Sequence, residues 1–210
     1  MNESHLPNPP HGYFYHGPLF QKRFKRGWLV FLAANLIALI PFGLGLLLLW
    51  VPYQLYLGFG TPFAVLPTLQ MGLVVKIMLG LLIFVLSMLL HEWLHGLALI
   101  ATGHPPKYYF RMGVLFAGLN ENDFLPRRHY LLMSLTPLVV MSVVGFVVLL
   151  FLPPVIGRLL LTSLLLNAAA SLGDLMVTIG ILRAPKQAVF TDEKGIQIFL
   201  PSPIEGNTGA

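Results

Sequence analysis

The sequence predicts an all-α membrane protein of about four transmembrane helices, carrying a short cytoplasmic extended segment and a C-terminal β-hairpin. Three observations predict it. Of 210 residues, 56% are hydrophobic and only 10% charged, with a mean hydropathy of +0.78, more apolar than an ordinary soluble domain. The apolar residues gather into stretches of roughly 20, the length a bilayer core demands. Of the 13 Lys and Arg, all but Lys76 and Arg158 fall on one side once those stretches are drawn as spans.

Residues 1–26 read as a cytoplasmic flexible tail, rich in Pro, His, Gly and Tyr and closing on the basic cluster Lys22, Arg23, Lys25 and Arg26. The first span, Trp28 to Trp50, is longer than a signal-peptide core and lacks a convincing cleavage site, so a retained helix is expected. Pro41, Gly43 and Gly45 admit a kink in it, and the stretch from Pro52 to Gln70 reads as re-entrant or interfacial. Lys76 to Ala101, Leu131 to Leu152 and Leu159 to Leu182 supply three more spans, which makes 27–185 one four-helix membrane domain. Between the second and third spans, Lys107 to Leu119 mixes aromatic and β-branched residues with Gly113 and Gly118; a short extended hairpin and an ordinary interfacial loop both fit. Residues 186–210 read as a cytoplasmic hairpin and tail, with two apolar strands around Asp192-Glu193-Lys194-Gly195. Trp28, Trp50, Tyr108 and Tyr109 suit the membrane interface.

The charge asymmetry orients the chain as a multi-pass protein of the cell membrane with both termini cytoplasmic. The net charge of +5 therefore needs no nucleic-acid partner; the bilayer is the partner it implies. The absence of cysteine excludes disulfides and thiolate metal sites, so any metal must be held by His, Asp or Glu.

Within the second span lies His91-Glu92-Trp93-Leu94-His95. Residues four apart on a helix differ by about 40° around the axis and about 6 Å along it, so both imidazoles can grip one ion. Glu92 is then beside that ion, better placed to take a proton from water than to ligate. The bland alternative, two helical histidines and a paired Glu, is common in soluble proteins but costly in an apolar span. His91 lies about 15 Å from the cytoplasmic end of its helix.

A catalytic zinc needs a third protein ligand. Glu3 and Glu205 lie in the termini, Glu121 and Asp123 in a polar loop, and Asp192 and Glu193 in the C-terminal turn; only Glu92 and Asp174 stand within apolar spans, at matching depth. Asp174 reads as that ligand, or as a hydrogen-bonding residue between helices. Asn167, Ala170, Ser171, Asp174 and Thr178 share one helical stripe, and Gly173 lets a backbone approach closely. For Asn167 a substrate or oxyanion contact and a packing role stand side by side. His5, His11, His16, His104 and His129 read as tail or surface histidines.

With H-E-W-L-H in one span and N-A-A-A-S-L-G-D in a later one, the chain resembles the site-2 protease class of intramembrane zinc metallopeptidases. It is more closely similar to the small putative zincin family of four-span membrane proteins, over about Met71 to Leu200. Gly173 precedes Asp174 here, where a typical site-2 protease has Gly following the Asp. The resemblance implies Zn2+ held by His91, His95 and Asp174, Glu92 as catalytic base, and a membrane protein or peptide as substrate. The rival is a non-enzymatic membrane protein that carries or senses a divalent metal with the same residues; a catalytically silent scaffold is the third reading.

Overall fold

The computed structural model describes residues 8–20, 43, 54, 72–111, 114–192 and 195–202. The expected first span, Trp28 to Trp50, and the expected re-entrant segment 52–70 lie outside the described residues apart from positions 43 and 54, and Glu193 and Lys194 lie outside them too.

Among the described residues, three helical runs are long and apolar enough to cross a membrane. The first is α1 (Leu73–Ala101), whose Leu73, Val74, Ile77, Met78, Leu81 and Leu82 are exposed. An apolar surface of that extent is stable only against lipid. The helix stops where glycine permits it: Gly103 has φ +83, its N–H donates to the Ile100 carbonyl (3.0 Å) and the His104 N–H reaches back to Leu99 (2.9 Å), closing the last turn. Pro105 and Pro106 follow and forbid resumption.

The second run, α2 (Arg127–Leu149), starts after Pro126 and holds a buried proline, Pro137, in its interior. Such a residue costs a helix about 3 kcal/mol, so it marks a place where the lost backbone bond is used elsewhere. The third run, Ile156–Arg183, consists of two helices, α3 (Pro154–Ala170) and α4 (Leu172–Arg183). The single helix expected over Leu159 to Leu182 is thus broken at Ser171, whose N–H and hydroxyl both donate to the Asn167 carbonyl at 2.9 Å. A side chain competing for a helical acceptor in this way bends the chain.

Among the described residues, two sheets accompany the helices. β2 (Lys107–Arg111) and β3 (Val114–Gly118) form an antiparallel hairpin packed on α1, where the sequence admits either a hairpin or an interfacial loop. β1 (Tyr13–Pro18), β4 (Leu125–Pro126), β5 (Val189–Thr191) and β6 (Gln197–Pro201) form a four-stranded sheet in the order β1-β6-β5-β4. The expected C-terminal hairpin is its β5–β6 core. Beyond the expectation, residues 13–18 of the N-terminal tail add a strand to β6, anchored by the Tyr15 hydroxyl on Gln197 (3.0 Å) and by the Tyr15 ring against Phe199 (5.6 Å). The fold is therefore mostly helical but not all-α.

The sheet caps one end of the bundle. Leu99 from α1, Tyr130 from α2 and Ile181 from α4 meet Phe190 and Ile198 from the sheet in one buried cluster. A second cluster, Leu94, Met141, Leu149, Leu161, Leu164 and Leu165, fills the space between α1, α2 and α3 farther along the bundle. Leu94, of the second cluster, and Ala98 and Leu99, of the first, bracket His95 on α1, and the polar residues gather at that level.

Candidate metal centre

The buried face of α1 runs Ile83, Ser87, His91, Leu94, His95, Ala98 and Leu99, a stripe at helical spacing. His91 and His95 are thereby turned into the bundle rather than toward lipid, with rings 4.9 Å apart and nearly perpendicular. Ligand atoms of His91, Glu92 and His95 all fall within 4.8 Å of one another.

Asp174, in the first turn of α4, closes the group: its Oδ2 is 3.1 Å from His91 Nε2 and its Oδ1 is 3.4 Å from His95 Nε2. The break at Ser171 starts a new helix at Leu172, two residues before Asp174. Of the residues singled out in the sequence, His91, Glu92 and His95 from α1 and Asp174 from α4 thus converge. Asn167 joins them from behind: it is fully buried, its Oδ1 accepts from His91 Nδ1 (2.8 Å) and its Nδ2 donates to the Pro137 carbonyl (3.3 Å). Its side chain thus bridges α2 to a histidine of the cluster. Glu121 stands apart in solvent, ion-paired with Lys107 at 2.9 Å; that hydrogen bond and the ammonium charge hold its carboxyl below the usual value. His104 and His129 face each other at 6.1 Å elsewhere, and His16 sits on β1.

The proton positions on the two imidazoles follow from their partners. His91 Nδ1 faces a carboxamide oxygen and His95 Nδ1 faces the Met133 carbonyl at 2.9 Å, and both oxygens can only accept. Each Nδ1 therefore carries its proton, so that a neutral ring presents its Nε2 lone pair to Asp174 and a protonated ring donates an Nε2–H to it. With both rings neutral, the buried Asp174 Oδ2 has no hydrogen-bond donor. Two lone pairs and a carboxylate aimed at one point repel one another unless a cation lies among them. Two imidazole nitrogens and one carboxylate, each imidazole oriented by a hydrogen bond to its other nitrogen, are a donor set that suits Zn2+.

Glu92 is differently placed. It is only partly buried, and its Oε2 accepts the Ala117 N–H of β3 at 2.9 Å. Ala117 lies opposite Tyr108 in the hairpin register, and its N–H points away from β2 toward α1. The hairpin comes this close because residue 96 is glycine; a Cβ there would overlap the Tyr108 hydroxyl. Asp192 ties the hairpin to the larger sheet by accepting the Leu119 N–H at 3.1 Å. The Met133 carbonyl, Pro137 and the Ala117 N–H are functional groups that no sequence motif singled out. Backbone groups carry no signature in a side-chain motif, although a proline inside an apolar span was a visible signal.

Comparison with known proteins agrees with this geometry. No curated protein and no solved structure matches the chain. A family model described as putative zincin peptidase matches residues 84–189, a stretch that holds the whole cluster. Because that match spans half of the chain, the protein belongs to the putative zincin peptidase family.

Proposed function

We propose that the protein is a membrane-embedded zinc metallopeptidase of the site-2-protease kind, hydrolysing peptide bonds of membrane-associated protein substrates near the cytoplasmic side. The observation that carries this reading is the convergence of His91 Nε2, His95 Nε2 and the Asp174 carboxylate, at 3.1 and 3.4 Å, with Glu92 beside them. His91, His95 and Asp174 would hold the ion. Bound Zn2+ supplies Lewis acidity, which polarises a carbonyl and acidifies water.

The chain's own residues do the rest. Glu92 receives the proton of the attacking water at its carboxylate and passes it to the leaving amine. The Ala117 N–H fixes that carboxylate, and Asn167 and the Met133 carbonyl fix the two imidazoles. Glu92 and Asp174 retain some exposure while both histidines are buried, so substrate approaches from the carboxylate side. The edge of β3 that faces away from β2 borders Glu92, and among the described residues no strand pairs with it, so an extended substrate segment is suited to pair with its remaining backbone groups.

Metal analysis of the purified protein tests the ligands: wild type should hold one zinc, and His95→Ala and Asp174→Ala should lose it. Glu92→Gln should keep the zinc and lose hydrolysis of a transmembrane peptide substrate. Full function with Gln at that position would favour the metal-carrier reading instead.

A further inference from the structure

A proline inside a helix removes one donor from the backbone ladder, and the carbonyl four residues earlier loses its partner. In α2 the proline is Pro137 and the carbonyl is that of Met133. This is the carbonyl to which His95 Nδ1 donates, at 2.9 Å. Pro137 also acts through its own carbonyl, which accepts Asn167 Nδ2 at 3.3 Å and so turns Asn167 Oδ1 toward His91 Nδ1 at 2.8 Å. The hydrogen bonds that orient both imidazoles lead back to one residue, which is buried and bears no polar side chain.

We infer that Pro137 is the positioning residue of the centre: by withholding its N–H it keeps the Met133 carbonyl for His95, and by its carbonyl it sets Asn167 against His91. The inference rests on the zinc-site reading, in which both Nε2 atoms must face one ion. Hydrogen-bond partners of metal-binding histidines typically contribute 10- to 100-fold to metal affinity.

The test uses the full-length chain in lipid nanodiscs. Pro137→Ala restores an N–H that competes for the Met133 carbonyl, and its zinc affinity should fall about 10- to 100-fold while helical content is kept. Replacing residue 137 with lactic acid, the backbone-ester analogue of alanine, removes both ring and N–H and should bring the affinity back to within about threefold of wild type. An alanine variant that binds as wild type overturns the inference. An ester variant as weak as the alanine variant also overturns it, because the effect would then belong to the ring and the helix shape.

A second measurement needs no zinc. Imidazole nitrogen-15 spectra of the chelator-treated chain should show both His91 and His95 carrying a hydrogen-bonded proton on Nδ1, with His95 losing that hydrogen bond in Pro137→Ala but not in the ester. A wild-type His95 with no hydrogen-bonded proton on Nδ1 would overturn the inference even where zinc binds. If no variant binds zinc, the proposed function fails and the nitrogen spectra still decide the role of Pro137.

Discussion

The contact between Glu92 and β3 can be removed without changing Glu92. Ala117 donates its N–H to Glu92 Oε2 at 2.9 Å, and that N–H faces away from β2, so no ladder bond depends on it. Ala117→Pro deletes the donor at an edge position where strands tolerate proline. A hydrogen bond to a charged acceptor contributes about 1.5–3 kcal/mol, and if all of it serves to hold the carboxylate in place, turnover falls about 10- to 100-fold. Zinc content should not change, because His91, His95 and Asp174 are oriented through α2, α3 and α4 rather than through β3. The assay is cleavage of a fluorescence-quenched transmembrane peptide in nanodiscs, with zinc measured on the same sample. Wild-type turnover in Ala117→Pro would refute the claim that this backbone group sets the base. Loss of zinc would refute the separation of base from ligands.

Other changes bear on neighbouring contacts. Gly96→Val should displace the hairpin through its overlap with Tyr108 and reduce cleavage, and adding Tyr108→Ala should recover part of the loss in a double-mutant cycle. Asp174→Asn keeps the shape of the side chain but removes its charge, so zinc should be lost while thermal stability of the metal-free protein holds or rises, since an amide can donate to an Nε2 lone pair; retained zinc by metal analysis would exclude Asp174 as a ligand. Phe190→Ala, at a fully buried ring 5.7 Å from Tyr130, should destabilise the sheet end by about 3–5 kcal/mol in detergent unfolding. Lys107→Ala should raise the Glu121 titration midpoint toward the ordinary carboxylate value, read by carboxyl NMR, because the hydrogen bond and charge that hold it low are gone.

Several elements were legible because their causes are local. α1, α2 and the hairpin β5–β6 fall within a few residues of where apolar length and turn residues put them, since bilayer thickness and glycine conformational freedom act over short stretches of chain. His91 and His95 share a face because they are one helical turn apart. Asp174 was reachable by matching depth across two spans that run in the same direction, a geometric argument that needs only the helical rise. β1 was not legible: its partner β6 lies some 180 residues away, and Tyr13 to His16, though rich in strand-forming aromatics, stands in a segment whose composition reads as a tail. The break at Ser171 was missed because a serine hydroxyl that takes a helical carbonyl looks, in sequence, like any small polar residue on a packed stripe.

By itself the sequence determined the membrane character, the pentapeptide His91 to His95 and the absence of thiolate ligands, all of which depend on composition or on neighbours along one helix. Tertiary structure alone decided which atoms face the candidate ion. The Met133 carbonyl reaches His95 from another helix, Asn167 reaches His91 from a third, and the Ala117 N–H reaches Glu92 from a hairpin. These are hydrogen bonds between distant segments, several through backbone atoms common to every residue, and a linear pattern of side chains cannot encode them until packing brings the segments together.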